Sequence, residues 1–463
     1  MPSAIRLVGG KQIDYDAAIA SESDVLAQHQ QWNDSLAFKV DLWHQSAALE
    51  SLVAFHVGVD AACLKIGHPK TWSQGSFNVA IPMLLFDDAG AAEGWTSSPS
   101  EHENGSLKRV VLRCPSRYYA GMIDEKMRCE TASYVWMQRH CPHVRIPHLY
   151  GFGFPGGAHP PTCPIETGYM VLEHFGPSFG KQLPLVVRNH KLSLEPVKMR
   201  NLFRGVARII LAVARIPLAK VGAFRFRDDG TIALENRPIT SDVFRFENEG
   251  APRTVDADKT YTNVDQYVAD LAAFHDQRFL HTPNAAFNAA DCYDQMAVNT
   301  FLRAVTPTFI TDYRDGPFAL FISDQNATNI MVDDEWNVTG IFDLEWMIAA
   351  PVDVPRTPYW LTWDSLDQIA GEGYGEYKET RDVFMDVFKA EEALMDTSAL
   401  QAALGGSTLS SVMERSWDTK RDWFYLSLFT VAGLHLIVQR QIVPLFYPDG
   451  LPYSNPAEAC QTR

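Results

Sequence analysis

Basic residues are in short supply in this chain. Forty Lys and Arg stand against 56 Asp and Glu, a formal net charge of −16 over 463 residues. A nucleic-acid partner needs clustered cations against its phosphates, so that class is excluded. The balance is compatible with a small cationic or neutral substrate, although surface charge serves mainly solubility. Cysteine is sparse as well: seven residues, odd in number and without a CxxC pair (Cys63, Cys114, Cys129, Cys141, Cys163, Cys292, Cys460). That usage reads as reduced thiols in a cytoplasmic protein, several of them buried. Cys141, His143, His148, His159 and Cys163 cluster in sequence, but their spacings match no zinc pattern and the stretch is rich in proline. Long apolar runs are missing too. The longest, Trp423 to Val438, has 16 residues and contains Ser427, Thr430, Gly433 and His435, so it reads as a buried helix and not a membrane span. The N-terminus has neither the apolar run of a secretory signal nor an Arg-rich transit pattern, and no internal repeat is visible.

What is abundant is core-forming material. Hydrophobic residues make up 46% of the chain, with 11 Trp and 26 Phe, and the length allows two to four domains. Residues 1–60 read as two or three amphipathic helices with apolar positions at Trp32, Leu42, Trp43, Leu49 and Phe55, a helical extension packed on the first sheet domain. Alternation begins near Cys63 and predicts strands up to about Pro115, interrupted from Asp87 to Leu107 by a Gly-, Ser-, Ala- and Glu-rich loop expected to be mobile. A helix is predicted over Tyr119 to Arg139, then strand signals near Leu149 and over Tyr169 to Leu172. After Gly176 the pattern becomes mainly helical. The expected fold class is therefore α+β. The helical extension (1–60) precedes an antiparallel-sheet domain (61–175), and a mainly helical domain (176–463) completes the chain.

The most informative stretch is residues 321–346, FISDQNATNIMVDDEWNVTGIFDLEW. Asp324 is followed five residues later by Asn329, and Asp343 comes fourteen after that. Ile330 to Val332 predicts a strand, Asp333 to Asn337 a turn, and Val338 to Phe342 the return strand, which brings Asp343 back beside Asn329. This layout suits phosphoryl transfer from Mg-ATP. One carboxylate faces an acceptor hydroxyl, while an amide and a second carboxylate hold the metal on the phosphates. Such catalysis is mostly positioning and charge neutralisation, so few residues need carry it. An ordinary acidic hairpin with Asp and Asn at its ends accounts for the same spacing.

The segment resembles the catalytic and metal loops of the aminoglycoside phosphotransferase family, a branch of the protein-kinase-like fold, and specifically its fungal members. Further resemblances run in order along the chain. Ile216 to Thr240 is similar to an inserted hairpin, Thr262 to Val305 to a long helical segment, and Pro351 to Leu361 to the region after the metal Asp. Trp423 to Phe446 is similar to the last core helix with its Ile442-x-Pro444-Leu445-Phe446 close. Together they cover roughly residues 60 to 448.

The resemblance implies a two-lobed kinase-like fold using ATP and Mg2+. Asp324 would be the catalytic base, and Asn329 and Asp343 the metal ligands. The turn around Gly75 and Ser76 resembles the family's Gly-Gly-x-Asn nucleotide loop with a single glycine, where small residues let backbone N–H groups approach phosphates. Arg113 stands where a Lys usually contacts the phosphates, as in many fungal relatives; Lys108 competes for the role. Period-2 alternation puts Val111 on the face of Arg113, towards the adenine. Glu130, at helical spacing with Met127, Tyr134 and Met137, would hold Arg113, with Glu125 the second choice. Glu173 and His174, in the strand leading into Gly176-Pro177, would offer backbone groups to the adenine edge.

The chain departs from the family at Ile322-Ser323-Asp324-Gln325-Asn326, where relatives usually read His-Gly-Asp-Leu-His or Thr-Asp-Leu-His. The missing His leaves open what braces the loop. Glu345 and Trp346 read as structural residues that close it. The implied activity is a kinase of a hydroxyl on an unidentified small molecule, because no long peptide-docking segment comes after Asp343. The rival reading is a non-catalytic kinase-like module that binds nucleotide or a protein partner.

Overall fold

In the computed structural model of the chain, the described residues are 4–7, 10–21, 23–93, 108–157, 165–176, 179–187 and 195–449. They divide into two compact units, residues 1–134 with 146–180, and residues 135–145 with 181–463. The first is built on an antiparallel sheet and the second is mainly helical, the α+β organisation expected from the patterning.

In the first unit, six strands form one sheet. Leu64–Ile66, Asn78–Leu85, Lys108–Pro115, Tyr169–Glu173 and Leu149–Gly153 lie side by side in that order, and Ser73–Gln74 folds back onto Asn78–Leu85. Alternation gives the sheet two different faces. Val79, Ile81, Met83, Val110, Leu112, Cys114, Tyr169 and Val171 pack on one side, with Phe38 and Leu42 of helix Val25–His44 and Leu49, Leu52 and Val53 of helix Ser46–Val57. The N-terminal segment is thus part of the unit's core. It also carries a short hairpin, Ala4–Arg6 with Gln12–Asp14. Phe55, read from the sequence as an apolar-face residue, is 56% exposed instead. Of the loop expected from Asp87 to Leu107, residues Ala89–Glu93 form a helix and 94–107 lie outside the described residues, as do Pro177, His159, Cys163 and Cys460.

On the other face, the strand register stacks Ala80, Arg113 and Met170 in one row and Pro82, Val111 and Leu172 in the next. Helix Ile123–His140 sends Glu130 to Arg113 on this face. Its predicted start near Tyr119 is a separate single turn, Arg117–Tyr119.

In the second unit, helix Pro196–Ala214 and the helices Val264–His281 and Ala289–Phe309 flank two small antiparallel assemblies. One pairs Phe318–Ile322 with Met347–Pro351. The other is the hairpin Ile330–Val332 and Val338–Ile341, with Lys181–Gln182 as third strand. An aromatic core including Phe309, Tyr377, Trp417, Trp423 and Phe424 fills the helical part. The apolar run from Trp423 is buried as expected but is not one helix. It breaks into Arg421–Phe429 and Leu434–Ile437 because Thr430 takes an extended conformation ahead of Gly433. No helix among the described residues is long and apolar enough to cross a membrane.

Candidate active site

The second unit brings Asp324, Asn329 and Asp343 together through two backbone devices. Strand Phe318–Ile322 delivers Asp324 two residues past its end, and Ser323 ties that end down: its N–H and its Oγ both donate to the Trp346 carbonyl, at 2.9 and 2.8 Å. The hairpin does the rest. Ile330 pairs with Ile341, and the Phe342 N–H donates to the Asn329 carbonyl at 3.1 Å, which puts Asp343 one residue beyond a direct link to Asn329. The turn is built by Asp333, whose carboxylate accepts from the backbone N–H groups of Glu335 and Asn337, both at 2.9 Å.

In the sequence Ser323 figured only as part of the loop that departs from the family pattern, with no role of its own. It supplies a brace between the Asp324 loop and the segment after Asp343, the job left open by the missing His. No pattern marks it: a Ser at a strand end is common, and only the register shows which carbonyl it meets.

Asp343 has φ +66°, a left-handed conformation uncommon for residues other than glycine. Such strain persists only where surrounding structure over-determines it, and it clusters at working sites. Asn329 is oriented too: its Nδ2 donates to the Asp324 carbonyl at 3.4 Å and its Oδ1 accepts from the Thr328 hydroxyl at 3.3 Å, which leaves a second lone pair on Oδ1 to present. An amide oxygen beside a carboxylate is the hard-donor chemistry that Mg2+ takes.

Charge is concentrated here. Burial, followed by the fields of Asp343, Glu345 and Asp242, pushes the Asp324 carboxyl up to about 7. Glu345 is buried, so it shapes the site's electrostatics as well as closing the loop; the Trp346 ring beside it packs on Phe244. Asp242, also unmarked in the sequence, sits in the first turn of helix Ser241–Asn248 and accepts from the Val431 N–H at 3.0 Å.

In the sheet unit, Gly75 and Ser76 form the exposed turn between Ser73–Gln74 and Asn78–Leu85, closed by a Gly75 N–H to Asn78 carbonyl bond of 3.0 Å. Arg113 and Glu130 are ion-paired. Lys108 lies in register with the opposite, core-facing side of the strand, which removes it as Arg113's competitor. The sequence reading missed Lys126. It is 1% exposed, reaches the second Glu130 oxygen at 3.1 Å, and donates to Asn78 Oδ1 at 3.2 Å. A buried Lys needs partners, and its spacing of four from Glu130 was the available signal. Val111 shares the Arg113 face, as alternation required.

The strand end at Glu173 differs from expectation. Its N–H is spent on the His148 carbonyl at 2.8 Å and its side chain accepts from the His148 N–H at 3.1 Å, so this N–H serves the sheet and not an adenine edge. His174 has a buried Nδ1 without a hydrogen-bond partner among the described residues. Burial, then Arg109, lowers its pKa, keeping the ring neutral. The Cys141 thiol, which anchored the sequence cluster of Cys and His, donates to the Ala212 carbonyl at 3.3 Å and burial pushes it up to about 11.

No family model matches the chain, and no curated protein matches it. Among solved structures it is similar to macrolide 2'-phosphotransferase type I, at 12% identity and a TM-score of 0.38 over 84% of this chain and 94% of the other. It is also similar to the ADP-bound aminoglycoside phosphotransferase APH(2'')-Ib, at 10% identity and a TM-score of 0.36 over 82% and 92%. A third is aminoglycoside phosphotransferase APH(3'')-Id from Streptomyces rimosus ATCC10970, at 12% identity and a TM-score of 0.35 over 78% and 92%.

Proposed function

We propose that the protein is an ATP- and Mg2+-dependent phosphotransferase acting on a hydroxyl of a small molecule. The observation that carries this reading is the convergence of Asp324, Asn329 and a strained Asp343 through the Phe342–Asn329 link. In it Asp324 orients the acceptor hydroxyl and takes its proton, a role favoured by a carboxyl whose pKa lies near neutrality. Asn329 Oδ1 and the Asp343 carboxylate would hold Mg2+, which supplies charge neutralisation on the phosphates. In the sheet unit, Arg113 offers a fixed, planar cation for phosphate oxygens, with Glu130 fixing its direction. Pro82, Val111 and Leu172 give an apolar row suited to a nucleobase.

The test is thermal stabilisation by ATP with and without Mg2+, on wild type and on Asp343→Asn. Stabilisation that needs the metal and is lost in the variant is the expected result. A wild type unmoved by Mg-ATP would sink the proposal.

A further inference from the structure

The helical unit contains a cavity of about 80 Å³ whose wall includes both neighbours of the catalytic Asp, Ser323 and Gln325. Its body is apolar. Ile209 and Val213 of helix Pro196–Ala214 form one side and Phe321 another. Against this stand a few polar groups, among them the donors of Arg356, Gln325 and Trp360. Arg356 lines the cavity and spends one N–H on the Val354 carbonyl at 3.3 Å, with its guanidinium 6.0 Å from the Phe321 ring centroid. Among the described residues no carboxylate lies within ion-pairing distance of it. Asp422, a counter-charge that Arg356 feels, is itself buried and its carboxyl is pushed up to about 7, so it neutralises Arg356 poorly.

Two more wall residues, Gln325 and Trp360, carry buried N–H groups (Nε2 and Nε1) without a hydrogen-bond partner among the described residues. Leaving a buried donor unmet is costly, and an acceptor-rich occupant would meet both. Tyr359, also in the wall, lies near enough to Asp324 to feel its charge.

We infer that this cavity is the acceptor site, and that it takes a compact hydroxy acid: a carboxylate on Arg356, a short apolar body against Ile209, Val213 and Phe321, and a hydroxyl towards Asp324. The inference rests on the phosphotransferase reading for what happens to the hydroxyl, but not for what binds. A planar carboxylate matches the two-pronged guanidinium. A cationic occupant would face Arg356 without compensation and leave the Gln325 and Trp360 donors unmet. The acids around Asp324 disfavour a dianion such as a phosphate ester.

The experiment uses three probes of one shape: β-hydroxybutyrate, its uncharged amide, and the corresponding amino alcohol. Binding to the full chain is followed by calorimetry without nucleotide, and turnover by ADP release with Mg-ATP. The carboxylate should bind about tenfold tighter than the amide, with the amino alcohol weakest, and Arg356→Gln should remove that order. Should Arg356→Gln fail to fold, Arg356→Lys keeps a charge but not the fork and should keep only part of the carboxylate preference. An amine bound as tightly as the acid, or no binding of the acid at millimolar concentration, overturns the inference. If that happens while Mg-ATP still stabilises the wild type, the kinase reading stands alone. Carboxylate-selective binding without ADP release supports the pocket and counts against the kinase reading.

Discussion

Asp324 and His275 show how burial sets two side chains to opposite chemical ends. Asp324 is pushed towards protonation in a crowd of carboxylates, so replacing it removes the proposed proton acceptor while leaving the metal ligands in place. Asp324→Ala should cut ADP release about 10²- to 10⁴-fold while Mg-ATP still stabilises the protein. Loss of nucleotide stabilisation together with turnover would mean that the residue is structural. His275 is buried among core helices with Nε2 2.9 Å from the Leu428 carbonyl, and desolvation lowers its pKa to about 4. The folded state therefore binds fewer protons at this ring than the unfolded state between pH 6.5 and about 4. Its contribution is present above pH 6.5 and is lost as pH falls to about 4. Relative to His275→Gln, wild type should lose on the order of 3 kcal/mol over that window, read by urea denaturation at several pH values. A pH-independent difference between the two proteins would refute the assignment.

At the level of elements, the hairpin Ile330–Val332 and Val338–Ile341 depends on how closely a helix can approach it. Gly205 sits mid-helix in Pro196–Ala214, where glycine costs roughly 1 kcal/mol relative to Ala. The structure gives the reason: a Cβ there would lie 2.4 Å from Val338 Cγ2, on the return strand that leads to Asp343. Gly205→Ala is expected to destabilise the protein by about 1–3 kcal/mol through overpacking, and to weaken Mg-ATP stabilisation by shifting the hairpin. Adding Val338→Ala should return much of the loss, and an additive double variant would show that the contact is not the cause. The hairpin itself was legible, because two apolar runs and a turn rich in Asp and Asn are local signals. The positive φ of Asp343 was not, since Asp is not a residue type that demands that conformation.

Across the whole chain, the N-terminal helices matter as the cover of one sheet face. Leu52 is fully buried in one cluster with Ile81 and Leu112, so Leu52→Ala should cost about 2–5 kcal/mol, measured by denaturant unfolding. A negligible cost would mean the segment is an appendage. The order of elements and the α+β division could be read from periodicity and spacing, because alternation and helical phase are properties of neighbouring residues, while the pairing of Arg113 with Glu130 was implied by the resemblance, with helical phase putting Glu130 on the inward face. The sequence by itself therefore determined the kinds of element and the faces on which the candidate residues lie. Tertiary structure alone decided the contacts between distant segments. It brought Lys126 to Asn78, Ser323 to the Trp346 carbonyl and Asp242 into the field of Asp324. It spent the Glu173 N–H on His148 and left Arg356 without a carboxylate partner among the described residues. The reason is physical: periodicity fixes the face on which a side chain lies, whereas its partner and its desolvation depend on which other segment packs there.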